Sequence, residues 1–179
     1  VINVKKNTKL ICIAQQIAHV LQIENQDLPN PDARISHLSM DTRKLIHPEE
    51  TLFFSLKGSM HDGHSFIRDA INKGVKNIVA EQKIDNLPSN VNYYQVPDSL
   101  KALQAVAAWH KSRYPNLTTL AITGSNGKTT IKEWLYQMIT DRKVVKNPKS
   151  YNSQTGVALS LWQIQEDDQF GIFEAGISK

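Results

Sequence analysis

Sulfur is nearly missing as a cross-linking element in this chain. Cys12 is its single cysteine, so no internal disulfide can form, which fits a reducing compartment. No apolar run approaches the roughly 18 residues that a membrane-spanning helix needs. The first apolar segment is broken by Gln15, Gln16 and His19 and lacks a signal-peptide layout. The expected location is therefore the cytoplasm. There is no Lys/Arg run, and the few aromatics do not alternate with basic residues, which argues against a nucleic-acid surface. Internal repeats and low-complexity stretches are also missing. The charge excess is mild, +4 with a pI near 9.1, and allows anionic partners without demanding them.

What is present is enough apolar material for real cores, 40% of 179 residues, in one large domain or two small ones. The chain is organised around Leu117-Thr118-Thr119-Leu120-Ala121-Ile122-Thr123-Gly124-Ser125-Asn126-Gly127-Lys128-Thr129-Thr130. The first half is apolar and β-branched and reads as a buried parallel strand. A turn with two glycines follows. From Lys128 the period changes, and Ile131, Leu135, Met138 and Ile139 fall on one helical face. Strand, glycine turn, Lys-Thr and helix make a phosphate-binding loop. Glycines let backbone N–H groups approach phosphate oxygens, and the helix start adds unpaired donors and partial positive charge. Lys128 is placed for β/γ-phosphates and the Thr129 hydroxyl for Mg²⁺. The wider G-x-x-x-x-G-K-[ST] pattern has glycine where this chain has Ile122; the spacing here is the shorter G-x-x-G-K-T.

Ahead of the loop, Leu10, Ile13, Ile17, Val20 and Leu21 repeat at helical spacing. Residues 35–40 and 51–56 read as strands, ending in Asp41-Thr42-Arg43 and Lys57-Gly58. His61-Asp62-Gly63-His64 is a polar turn into a helix with Phe66, Ile67, Ala70 and Ile71 inward and Gly74 as its C-cap. Residues 77–80 and 93–96 read as two more strands. Pro97-Asp98 marks a boundary, and Asp98 caps a long helix that Pro115 stops. After the loop helix come a strand at 143–145, a polar segment from Pro148, a helix around residues 157–162, and a strand at 170–173 ending in Glu174-Ala175-Gly176. Trp109 and Trp134 sit in helices and read as packing residues. Alternating strands and helices predict a parallel α/β sheet. This second half holds only about three strands, fewer than an open nucleotide-binding sheet normally has, so the chain is expected to be a fragment.

The residues from Thr123 to Thr129 resemble the ATP loop of the Mur ligases, the enzymes of peptidoglycan and cell-wall synthesis, whose loop has this short glycine spacing. Asp41-Thr42-Arg43, Leu52 to Gly58 and Asp62-Gly63-His64-Ser65-Phe66 resemble the family's amino-terminal uridine-nucleotide domain. Tyr151-Asn152-Ser153-Gln154-Thr155-Gly156 and Phe173-Glu174-Ala175-Gly176 resemble the next two motifs of its central domain. Within the family the likeness is strongest to members that add D-alanyl-D-alanine to UDP-N-acetylmuramoyl-tripeptide; a member adding a diamino acid is the alternative. A nucleotide-binding module without ligase activity is a further one. The wording around Ser150 to Gly156 and Glu174 to Ser178 also resembles forms fused to an alanine racemase. Thr42 stands where the family often has serine, Ser150 and Ser153 where asparagine is common, and Ala158 where proline is common.

The resemblance implies a small α/β UDP-substrate domain at 1–97, followed by the first part of a parallel-sheet ATPase domain at 98–179. It implies ATP and Mg²⁺ as cofactors, ATP-driven amide formation, and no ligase activity from these residues alone. Lys128 and Glu174 would be catalytic. Gly124, Ser125, Asn126, Gly127, Lys128, Thr129 and Thr130 would bind ATP, with Thr129 and Glu174 on the metal. Thr42, Arg43, Lys57, Gly58, Asp62, His64 and Asn152 would serve the UDP substrate. For several of these the residues themselves leave alternatives. Thr42 and Arg43 could contact uridine or fix a turn, Lys57 and His64 could meet diphosphate or face solvent, and Asn152 could touch a ligand or cap its loop. His61-x-x-His64 has metal-like spacing but no further ligand cluster to make a zinc site.

Overall fold

The computed structural model describes residues 12–23, 28–58, 62–148 and 151–176. Leu10, His61, Ser150 and Ser178, which the sequence reading uses, lie outside the described residues. The chain forms two compact units that divide between Trp109 and His110.

The first unit holds a four-stranded sheet, all parallel, in the order β1-β2-β3-β4: β1 is His37–Ser39, β2 Thr51–Phe54, β3 Asn77–Ala80 and β4 Asn92–Gln95. Helices α1 (Ala14–Val20), α2 (Ile67–Asn72) and most of α3 (Ser99–Ser112) accompany it. Strands β2 and β3 are buried along their whole length, as parallel strands covered on both faces should be. Phe53, Ile67, Ala70, Val75, Ile78, Ala80 and Val91 form one core cluster. Gly74 ends α2 with φ +99°, a conformation that favours glycine. The Asp98 carboxylate accepts from the Lys101 N–H at 2.9 Å and caps α3. Phe66 departs from the expected inward face: it is exposed, because it belongs to the 3₁₀ turn Gly63–Phe66 and precedes the α-helical register of α2.

The second unit carries a three-stranded parallel sheet, β5-β7-β6, with β5 at Thr118–Ile122, β6 at Val144–Lys146 and β7 at Phe170–Glu174. Helix α4 is Lys128–Met138 and α5 is Gln154–Leu161. Tyr114, Leu117, Ile164 and Phe173 form its core cluster. Two expectations fail here. Strand β5 is exposed from Thr118 to Ala121 and buried only at Ile122. On α4, Ile131, Trp134 and Met138 are exposed, and the buried residue is Lys132. Trp134 is 63% exposed and is no packing residue. The reason is topological: among the described residues β5 is an edge strand paired to β7 alone, so it is the β7 side of α4 that has a surface to rest on. The apolar stripe of α4 was legible, but not which surface covers it.

Candidate nucleotide site

The phosphate loop leaves β5 at its carboxyl end, where ligands of open parallel sheets bind. Gly124 has φ +140° and Gly127 φ +76°, with nothing within 4 Å of where either Cβ would stand. Both positions thus require glycine on conformational grounds. Gly127 is the N-cap of α4, and its carbonyl accepts the Ile131 N–H at 2.9 Å. The first turn of α4 contains no acidic residue, so the positive end of its dipole is not answered from within the helix. The Lys128 ammonium lies over the loop, donating to the Gly124 carbonyl at 2.6 Å and reaching the Ser125 carbonyl at 3.4 Å.

Register brings the carboxylate to this loop. Ile122, the last residue of β5, is paired with Glu174, and the Ala175 N–H donates to the Ile122 carbonyl at 2.9 Å. Glu174 Oε2 then accepts from Thr129 Oγ1 at 2.8 Å and Oε1 from Asn152 Nδ2 at 2.8 Å. Glu174 is 1% exposed. Burial by itself would raise its pKa. The hydrogen bonds from Thr129 and Asn152 and the nearby Lys132 charge outweigh burial, and the carboxyl sits below its ordinary value. A threonine hydroxyl and an ionised carboxylate at this distance are hard oxygens of the kind Mg²⁺ takes, alongside phosphate oxygens of its nucleotide. Among the described residues no group of three or more His, Cys, Asp or Glu could hold a metal.

The sequence did not single out Asn147 or Lys132. The Asn147 side chain donates to the Glu174 carbonyl at 2.9 Å and to the Tyr151 carbonyl at 2.7 Å, and it accepts the Glu174 N–H at 2.9 Å. Asn152 is fixed in turn: its carbonyl accepts the Gly176 N–H at 2.7 Å. A Cβ on Gly156 would stand 2.9 Å from the Tyr151 backbone, so this glycine permits close approach of α5 to that loop. Asn152 thus stands beside Glu174 in the unit of the phosphate loop. The signal for Lys132 was its spacing: three residues after Thr129, it shares that residue's helical face.

The remaining candidates gather at the carboxyl ends of β1 and β2, two neighbouring strands of the first sheet. Asp41 caps the 3₁₀ turn Thr42–Lys44 and grips Arg43 in a two-pronged pair, Nε to Oδ1 and a guanidinium N to Oδ2, both 2.9 Å. That grip holds the Asp41 carboxyl down to about 2. The Arg43 side chain is otherwise open to solvent. Thr42 is buried, with its carbonyl taking Lys73 Nζ at 3.2 Å, so it anchors the turn. After β2, Lys57 bridges to Asp62 and closes a loop. A Cβ on Gly63 would fall 2.5 Å from the Leu56 carbonyl oxygen, so only glycine fits that closure. His64 accepts the Glu81 N–H on Nε2 at 3.2 Å, and its Nδ1–H therefore donates to Asp62 at 2.6 Å. Both ring nitrogens are engaged in holding the loop, while Lys57 and Gly58 face solvent.

Residues 122–179 match the family described as Mur ligase middle domain. The chain is 33% identical over 151 residues to a UDP-N-acetylmuramoyl-tripeptide–D-alanyl-D-alanine ligase of Treponema pallidum, covering 79% of this chain and 32% of that protein. A solved MurF from Acinetobacter baumannii superposes with a TM-score of 0.82 at 25% identity, covering 94% of this chain and 36% of its own. A MurF ligase from Thermotoga maritima, solved in complex with ADP, gives 0.70 at 28% identity, over 80% and 32%. The chain spans about a third of the length of the curated relatives it matches. The family match begins at Ile122, the rung that sets Glu174 against the phosphate loop, and it is in residues 122–179 that the chain carries the Mur ligase middle domain.

Proposed function

We propose that the protein these residues belong to is an ATP-dependent ligase joining D-alanyl-D-alanine to UDP-N-acetylmuramoyl-tripeptide in peptidoglycan synthesis, acting in the cytoplasm. The observation that carries the nucleotide half is the Thr129–Glu174 hydrogen bond, which sets a phosphate loop and a buried carboxylate in one site. The substrate half rests on the relatives' named reaction and on the polar turns after β1 and β2.

In this reading residues 1–97 hold the UDP substrate and 98–179 begin the ATP-binding domain. Gly124, Ser125, Asn126 and Gly127 turn backbone N–H groups to the phosphates, and Thr130 lends its N–H from the first turn of α4. Lys128 neutralises charge on the transferring phosphoryl group, the main task in such a transfer. Thr129 and Glu174 would hold Mg²⁺, and Asn152 orients the Glu174 carboxylate. When bound, the ion supplies charge neutralisation on the phosphate oxygens. Transfer of the γ-phosphoryl group of ATP to the tripeptide carboxylate gives an acyl phosphate and releases ADP. Attack by the D-alanyl-D-alanine amine then forms the amide and expels phosphate. Thr42, Arg43, Lys57, Gly58, Asp62, His64 and Asn152 would serve the UDP substrate, and the hydrogen bonds of Thr42, Asp62 and His64 support the turns that carry Arg43, Lys57 and Gly58.

The test is Lys128→Ala in the full-length protein. Ligation with ATP, Mg²⁺, UDP-muramoyl-tripeptide and D-alanyl-D-alanine should be abolished, with UDP-substrate affinity nearly unchanged. Ligation at a near wild-type rate would refute the loop assignment. A diamino acid offered in place of D-alanyl-D-alanine, with a UDP-muramoyl-dipeptide, tests the sibling specificity by the mass of the product.

A further inference from the structure

Two lysines of α4 lie one turn apart and have different surroundings. Lys128 stands over the loop; Lys132 is entirely buried, with 0% exposure. A buried ammonium costs several kcal/mol unless it is paired and hydrogen-bonded. The Lys132 ammonium donates to the Asn147 carbonyl at 3.0 Å and lies 3.6 Å from Glu174 Oε2 and 3.8 Å from Glu133 Oε1. Asn147 is the residue whose side chain clamps the Glu174 backbone in both directions. Lys132 therefore reaches Glu174 by two routes: through its charge, beside the oxygen that takes Thr129, and through the backbone of the residue that fixes β7's last rung.

Resting on the proposed nucleotide site, we infer that Lys132 is a positioning residue. It holds Glu174 in place against Thr129 and thereby sets the affinity for Mg²⁺ with nucleotide. It touches no nucleotide itself. Thr129 and Lys132 lie on one face of α4, so the helix that presents the phosphate loop also carries the cation that orients the loop's carboxylate partner.

The experiment is a titration of ADP binding against Mg²⁺ concentration by calorimetry in the full-length protein, for the parent, Lys132→Met, Lys132→Gln, Glu174→Gln and the double variant Lys132→Met/Glu174→Gln. Loss of an outer partner of a metal ligand typically costs roughly 10- to 100-fold in metal affinity. The Mg²⁺ requirement of Lys132→Met should rise by about 10-fold or more on that scale, with UDP-substrate affinity within about twofold of the parent. In the Glu174→Gln background the lysine substitution should add little, because there is no carboxylate left to position. A purely structural role would lower the melting temperature without moving the Mg²⁺ requirement. An unchanged requirement in whichever variant folds, additive effects in the double variant, or failure of both Lys132 variants to fold would each overturn the inference. Lys128→Ala separates the two readings: if it kills ligation while Lys132→Met leaves the Mg²⁺ requirement alone, the site stands and the positioning role falls.

Discussion

Thr129 donates its hydroxyl proton to Glu174 across 2.8 Å, although 45 residues separate the two in sequence. One sits in the first turn of α4 and the other on the last rung of β7. A one-residue slip of β7 would turn the Glu174 side chain to the opposite face of the sheet. The site therefore depends on strand register as much as on the loop's own residues.

Glu174→Gln should cost both stability and function. The amide keeps the shape and can still accept from Thr129, but it leaves the wholly buried Lys132 beside a neutral group. Breaking a buried pair from one side destabilises by about 3 kcal/mol, whereas removing both charges is close to neutral. Chemical denaturation of the 179-residue chain should show a clear loss for Glu174→Gln, largely recovered in the double variant with Lys132→Met. Equal and additive losses in the two single variants would show that the charges do not compensate one another.

The Asp41–Arg43 pair gives a pH dependence. Asp41 has its pKa depressed from 3.8 to about 2, chiefly by the Arg43 side chain. A depressed carboxyl contributes stability in full above its ordinary value and loses it as pH falls through the folded value. The turn after β1 should thus stay closed down to about pH 4 and open between there and about pH 2. NMR titration of the Asp41 carboxyl carbon reads this directly. In Arg43→Ala the midpoint should move up toward 3.8; an unmoved midpoint would mean that the backbone N–H, not the guanidinium, sets it.

Trp134 and Met138 face solvent beside an edge strand, at 63% and 77% exposure. Trp134→Gln should change the stability of the 179-residue chain by less than about 0.5 kcal/mol, as surface substitutions do. It should also reduce any concentration-dependent association, since an open edge with apolar neighbours invites pairing. Light scattering across a dilution series checks the second part and a denaturant melt the first. A large loss of stability would show that Trp134 packs against something in solution.

Local chemistry made much of the fold legible. Residues 77–80 were read as a strand from their own composition, Asp98 as a cap from the helix it precedes, and Gly124 and Gly127 as turn glycines from the lysine that follows. What could not be read depends on partners distant in sequence. The residues around Glu174 do not by themselves show that Thr129 will meet it; the family resemblance put the two on one metal, and the contact follows from β5 and β7 pairing at Ile122 and Glu174. Helical spacing finds the apolar stripe of α4 but assumes that the stripe is the buried one, and here the buried position is a lysine. His64 looked free to meet a ligand because the Glu81 N–H that occupies its ring lies 17 residues on.

The strand order β5-β7-β6 has a bearing on biosynthesis. The central strand of this sheet is the last of the three to be made, so during translation β5 and β6 emerge with no mutual ladder to join them. The glycine loop and the start of α4 are complete many residues before Glu174 leaves the ribosome, and Lys132 must wait for its countercharge. Until β7 slots between its neighbours, the nascent unit has an unpaired cation and two open strand edges, the kind of intermediate on which chaperones act.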